Sequence, residues 1–236
     1  QAAGLFTFGG TGTLLYGVKL GLEKACPGTR TLGAREPAVI LCSERAHYAC
    51  LSVANWLGIG QENVIQVPCT PENEIRTCLF ETMARDVLQS GQKIAAIVAT
   101  MGTTDHFGLD DLKTLHEIRE KLVGEFGLDY TPHIHADAVI GWAWSVFNDY
   151  DFDHNPLGFR LRTVRALAGT KRRIQELHLA DSVGIDTLQV VDKSLQRFSF
   201  PGVSLWVDSQ QNFARFADGA LTDFGGQRIQ GHRWFG

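Results

Sequence analysis

Asp137 stands near the end of the run Pro132-His133-Ile134-His135-Ala136-Asp137-Ala138-Val139. The run reads as a short buried strand. An acid at the C-terminal end of a strand in an α/β fold lies in the crevice where such folds bind ligands. His135, two residues upstream, is placed either to steady the strand end or to line the same crevice. From these residues alone, an ordinary Asp capping the next segment explains the position as well as a ligand contact does.

Three other stretches carry chemistry. Phe8-Gly9-Gly10-Thr11-Gly12-Thr13 is a Gly/Thr-rich turn leading into an apolar helical pattern. Free backbone N–H groups and the partial positive charge of a helix start suit a phosphate there. The turn is neither a Walker sequence nor a GxGxxG, and a glycine-rich helix start without any ligand is at least as common. Ser43-Glu44-Arg45-Ala46-His47-Tyr48 follows a short apolar strand, with Ser43 as expected N-cap and His47 expected one turn into the helix. His47 is read as either a structural histidine or a site group. Gly102-Thr103-Thr104 ends a third apolar strand and delivers two hydroxyls toward the same sheet edge.

The elements that must hold these residues alternate along the chain. Apolar strands are expected over 38–42, 63–67, 94–100 and 134–139, with a further strand ending in polar groups within 178–186. Helical periodicity or helix-start signals fall over 14–22, 43–57, 72–90, 110–122 and 160–177. This order argues for an α/β fold with a mostly parallel, doubly wound sheet and helices on both faces. Residues 26–37 read as an exposed loop, 141–160 as irregular and aromatic, and 190–195 and 199–203 as strands or loops. Residues 1–190 are expected to form one large domain, with 191–236 as its remainder or the start of a further region. The chain begins without Met and opens on a motif, so a fragment of a longer protein is expected.

The bulk numbers exclude several classes. With 236 residues, 44% hydrophobic and 20% charged, the chain can bury a sizeable core. A net charge of -4 gives no electrostatic case for nucleic acid or an anionic membrane, and the basic run 160–173 reads as a solvated helix face. Five cysteines without CxxC spacing look like reduced thiols of a cytoplasmic protein, not a zinc site or a disulfide framework. No apolar run approaches the ~20 residues needed to span a bilayer.

Taken together, Phe8-Gly9-Gly10-Thr11, Ser43-Glu44-Arg45-Ala46-His47-Tyr48, Gly102-Thr103-Thr104, His135-Ala136-Asp137-Ala138 and Ala180-Asp181-Ser182-Val183-Gly184-Ile185-Asp186 resemble the pyridoxal-phosphate-dependent group II amino acid decarboxylases. The resemblance runs in order over about residues 4–187. It implies the large domain of a fold type I enzyme that binds pyridoxal 5'-phosphate and converts an L-amino acid to its amine with loss of CO2. Asp137 matches the acid that holds the ring nitrogen, and His47 matches the histidine that stacks on the ring and orients the substrate. Gly10, Thr11 and Gly12 match the phosphate-cradling turn. Thr103 and Thr104 lie where the family contacts the ring substituents and the substrate carboxylate region. Val139 replaces a smaller alanine under the cofactor, and Asp186 is grouped with the cofactor-binding residues. A homodimer is implied, with the aromatic stretch 142–159 near the subunit boundary.

One position departs from the pattern. The family continues after Asp186 with a His-Lys pair whose lysine attaches the cofactor, whereas this chain reads Thr187-Leu188-Gln189. Gln189 has no amine to offer. Lys193 follows four residues later, roughly 13 Å of extended chain beyond the expected place. The readings left open are a lysine supplied by a stretch missing from this sequence, a catalytically degenerate paralogue serving as scaffold or regulatory subunit, and a register change that brings in Lys193. Another fold type I lyase would share the same Asp and Lys logic.

Overall fold

The computed structural model describes residues 2–102, 107–186 and 202–207, without side-chain detail for 2, 3 and 202–207. A seven-stranded sheet has the order β1-β7-β6-β5-β4-β2-β3. The strands are β1 (Ala2–Thr7), β2 (Ala38–Ser43), β3 (Val64–Val67), β4 (Lys93–Thr100), β5 (His133–Asp137), β6 (Ser182–Ile185) and β7 (Gly202–Val207). Strands β2 to β6 pair in parallel, and β7 runs antiparallel to both of its neighbours. The mostly parallel, doubly wound sheet expected from the alternation is therefore present.

The helices are α1 (Gly9–Ala25), α2 (Thr29–Leu32), α3 (Ala49–Trp56), α4 (Thr77–Gln89), α5 (Leu112–Phe126) and α6 (Leu161–Gln175). One face of the sheet packs on α1 and α3 through Leu14, Val18, Leu22, Val53 and Ala54. The other packs on α4, α5 and α6 through Phe80, Leu112, Leu115 and Ile174. Burial on both faces explains why β2 is a continuous apolar run with every residue buried.

Helix α1 lies unusually close to the sheet. A Cβ on Gly17 would come within 2.3 Å of His135 Nδ1, and one on Gly21 within 2.1 Å of the Ala95 carbonyl oxygen. Beneath the helix, the Ser182 hydroxyl meets His133 Nε2 and His135 Nδ1, each at 2.8 Å. Asp181, next to Ser182, accepts from Arg119 and from Ile134 N, both at 2.7 Å. His135 thus steadies the β5–β6 pair and is fully buried.

Several expectations shift. Residues 2–7 form an edge strand that the residue pattern did not announce, and α1 begins at Gly9, so the Gly/Thr turn is its first turn. Helix α4 starts at Thr77 because Cys69 and Ile75 first pair across a small turn. His47 lies before α3 instead of one turn into it. The reason is local: the Ser43 hydroxyl accepts from Arg45 N at 2.9 Å in a short turn, leaving no cap for a helix at that point. Thr103, Thr104, Leu188, Gln189 and Lys193 lie outside the described residues.

Candidate active site

The C-terminal ends of β2, β4 and β5 and the start of α1 open onto one crevice of about 240 Å³, at the small end for a small-molecule site. Gly9, Gly10, Thr11, His47, Thr100, Gly102, Asp137, Val139 and Asp186 line it. Five separate sequence motifs are thus drawn to one place by the topology, because the strand ends of a parallel sheet share an edge.

Asp137 ends β5, directly beside Thr100 of β4 in the strand register. Its carboxylate accepts from Val139 N at 3.4 Å, and enclosure by protein pushes its pKa up to about 6, against the small opposing pull of that hydrogen bond. No cationic side chain lines the crevice among the described residues. An acid so placed favours a ligand that brings its own N–H or positive charge. Thr100 is 2% exposed and lines the same crevice, and its hydroxyl has no hydrogen-bond partner among the described residues.

His47 forms the facing wall. Its Nδ1 accepts from Ala49 N at 3.2 Å, which leaves Nε2 to carry the proton of a neutral ring. The ring lies 4.1 Å from that of Tyr48, itself exposed at the crevice mouth.

At the third wall, Gly10 presses against Val139: a Cβ on Gly10 would stand 2.8 Å from Val139 Cγ2. Val139 therefore occupies the space beside the turn, as its bulk relative to alanine implies. Gly10 N donates to the Asp186 carboxylate at 3.1 Å, so the first turn of α1 already holds an internal anion. Trp142 Nε1 donates to the Asp186 carbonyl at 3.1 Å and fixes that residue from the far side. Gly12, expected in the phosphate cradle, does not line the crevice. It is buried, and a Cβ there would meet Thr7 at 2.9 Å.

These residues fit pyridoxal phosphate at both ends. Asp137 suits a protonated ring nitrogen, the unpartnered Thr100 hydroxyl suits a polar ring substituent, and the free amides of α1 suit a phosphate once Asp186 yields Gly10 N. No group of three or more His, Cys, Asp or Glu side chains able to hold a metal ion occurs among the described residues. Nor is any helix among them long and apolar enough to cross a membrane.

Two residues of this neighbourhood escaped the sequence reading. Thr100 carried no signal beyond ending an apolar strand. Asp110 stands beside Asp111 at the helix start expected over 110–122, where either acid could serve as the cap. Asp111 does cap α5, accepting from Thr114 N at 3.0 Å, but Asp110 turns inward and is fully buried.

Comparison with known proteins gives the same direction. Residues 18–164, more than half of the chain, match the pyridoxal-dependent decarboxylase conserved domain. The matched span holds His47, Asp137 and Val139 and leaves Gly10 and Asp186 outside. L-2,4-diaminobutyrate decarboxylase of Acinetobacter baumannii is 29% identical over 163 residues, covering 63% of this chain and 30% of that protein. Aspartate 1-decarboxylase of Aliivibrio fischeri is 34% identical over 113 residues, covering 47% of this chain and 19% of that protein. The chain thus spans less than a third of the length of these relatives. Among solved structures, mouse CSAD superposes with a TM-score of 0.67 at 21% identity, over 100% of this chain and 42% of its own. The glutamate decarboxylase domain of a Vibrio parahaemolyticus protein gives 0.65 at 20%, over 90% and 41%. At that identity the structural likeness speaks for the fold.

Proposed function

The chain belongs to the pyridoxal-dependent decarboxylase family, and from that premise we propose that it is the cofactor-binding part of an enzyme that releases CO2 from an L-amino acid. Residues 1–190 form, on this reading, the pyridoxal 5'-phosphate-binding large domain. The observation that carries it is Asp137, an enclosed acid at the strand ends with no cation beside it among the lining residues.

Pyridoxal phosphate supplies, when bound, the electron sink for the negative charge left by CO2 loss. The chain's own residues do the rest. Asp137 would hold a proton on the ring nitrogen by charge pairing, which would keep the ring electron-poor. His47, which lines the crevice, would cover one ring face and orient the substrate. Val139 and Thr100 would contact the ring from the crevice wall, and Thr11, with Gly10 once Asp186 releases its amide, would hold the phosphate. By resemblance to the family, Thr103 and Thr104, outside the described residues, would contact the ring substituents and the substrate carboxylate region. Phe8 and Leu14 add apolar surface to the crevice wall.

A cytoplasmic homodimer goes with this reading. Scattered free thiols support a reducing compartment. The half-exposed aromatic cluster around Phe147, together with exposed Val146, Leu157 and Leu161, supports a subunit boundary there.

The test is CO2 release from a panel of L-amino acids by the full-length protein, with Asp137→Ala as control. Activity lost in the variant supports the reading, and equal activity in both refutes the role of Asp137. Gln189 makes the attachment question separate. Borohydride reduction and peptide mapping would place the cofactor on Lys193, on a lysine outside this sequence, or nowhere. Absence of both activity and adduct favours the scaffold or regulatory subunit.

A further inference from the structure

Strands β2 and β4 pair only as far as Cys42 and Val98. Beyond that point the two chains part. One continues through Ser43 and Glu44 to His47, and the other through Thr100 and Met101 to Gly102, beside Asp137. The width of the crevice between His47 and Asp137 therefore depends on something other than the strand ladder.

The turn 69–75 supplies the connection, and two carboxylates grip it. Asp110 accepts from Ile75 N with one oxygen and from Thr100 N with the other, both at 2.7 Å. Glu44 accepts from Cys69 N at 3.0 Å. Cys69 and Ile75 are themselves paired across the turn, and Arg76 Nε donates to the Cys69 carbonyl at 2.8 Å. The Ser43 hydroxyl lies 2.9 Å from Cys69 Sγ, which adds a second tie to the β2 side.

On the β4 side the tie extends to the reaction site. Asp110 N donates to the Thr100 carbonyl, and Met101 N donates to the Asp137 carbonyl, each at 2.9 Å. The same short ladder continues with Gly102 N on the Gly108 carbonyl at 2.9 Å. Gly102 is held from its other side, where a Cβ would come within 2.7 Å of Gly141 N. Asp110 thus fixes the backbone that presents the unpartnered Thr100 hydroxyl and that runs alongside Asp137.

A carboxylate with no solvent exposure is costly to keep unless each oxygen is matched. Both oxygens of Asp110 meet backbone N–H groups from two different walls, and no cationic side chain among the described residues forms an ion pair with it. An ordinary helix cap would need neither the depth nor the second wall, and Asp111 already serves as the cap.

We propose that Asp110 is a positioning residue for the candidate active site: with Glu44 it clasps the turn 69–75 and so sets the spacing of the Asp137 and His47 walls. The proposal rests on the cofactor reading for its functional consequence and on the clasp geometry for its mechanical one, so the two are read separately. Asp110→Asn places an NH2 group where one oxygen accepted, breaking the clasp at a single point. In the full-length protein, pyridoxal phosphate is expected to bind about tenfold more weakly to this variant, the usual scale for losing one charged hydrogen bond. The induced circular dichroism of the bound cofactor changes with it. Amide hydrogen exchange speeds up at Thr100, Met101 and Ile75 while Ile97 and Ile134, deeper in the sheet, keep the parent rates.

Parent-like affinity and dichroism in a folded Asp110→Asn protein overturn the proposal, as does exchange that rises evenly over the whole sheet. If the variant does not fold, Glu44→Ala, at the exposed end of the clasp, gives the same two readouts: faster exchange at Cys69 with altered dichroism supports it, and neither change overturns it. A parent protein that binds no pyridoxal phosphate would refute the proposed function, and the exchange pattern alone would then decide the clasp.

Discussion

Gly10 donates its backbone N–H to the carboxylate of Asp186, joining the first turn of α1 to the end of the β6 motif. A phosphate at this helix start competes with that carboxylate for the same amide and is repelled by its charge. Asp186→Asn is expected to bind pyridoxal phosphate or inorganic phosphate about threefold more tightly. The same change removes a charged partner from the helix start, so the ligand-free protein should lose about 0.5–1 kcal/mol of stability. Isothermal titration and thermal unfolding read the two effects. Weaker phosphate binding in the variant would show that Asp186 helps the anion instead of opposing it.

The contact between Gly10 and Val139 leaves no room for a methyl group. Gly10→Ala should cost about 1–3 kcal/mol, the usual penalty for overpacking. Val139→Ala in the same protein should return most of that loss, since it removes the atoms met at 2.8 Å. Denaturant unfolding of the two single variants and the double variant measures the coupling. Additive losses would mean that the clash is relieved elsewhere.

Asp137 is expected to show function and stability in opposition. Burial raises its pKa from the ordinary 3.8 to about 6, so the folded protein holds this proton more tightly than the unfolded chain does. Its contribution to stability is full below pH 4 and is lost as pH rises toward 6 and above. At pH 7.5 Asp137→Asn should therefore be more stable than the parent by about 1–3 kcal/mol, allowing for the crevice side that water reaches. At pH 4 the difference should vanish. Unfolding midpoints across pH 4–8 for both proteins check this, and a constant difference would contradict it.

The two buried histidines pull the other way. Burial drives His133 well below the ordinary histidine range and His135 to about 3. An unfolded chain, with histidines near 6.5, then takes up protons that the folded one cannot. Their stabilising contribution is complete above pH 6.5 and is lost progressively below it. His135→Asn should flatten the acid limb of the stability profile between pH 6.5 and 4, followed by urea unfolding. An unchanged slope would assign the acid sensitivity elsewhere.

Much of this arrangement was legible in the residues. The apolar strands of a doubly wound sheet advertise themselves because both faces are buried, and β2, β4 and β5 fall where the runs of Val, Ile and Ala end in polar residues. Motif order then drew Asp137, His47, Gly10, Thr11, Val139 and Asp186 toward one sheet edge, and all six line the crevice. What stayed hidden depends on partners distant in sequence. Strand β1 is defined by β7 at the other end of the chain, and no local pattern announces that pairing. Asp110 hid behind Asp111, because a single helix start explains two acids and only tertiary contacts with Ile75 and Thr100 separate their roles. Gly12 lies outside the crevice lining, against Thr7, a placement that a glycine in a phosphate-like turn does not announce.

The role of Asp137 is tested most directly by pyridoxal phosphate labelled with 15N in the ring and bound to the full-length protein. Bound to the parent at pH 7.5, the ring nitrogen should give the chemical shift of a protonated pyridine, and Asp137→Ala should return it to the neutral value with much weaker binding. A neutral ring in the parent, or a protonated one unaffected by removing Asp137, would contradict the pairing on which the proposed chemistry stands.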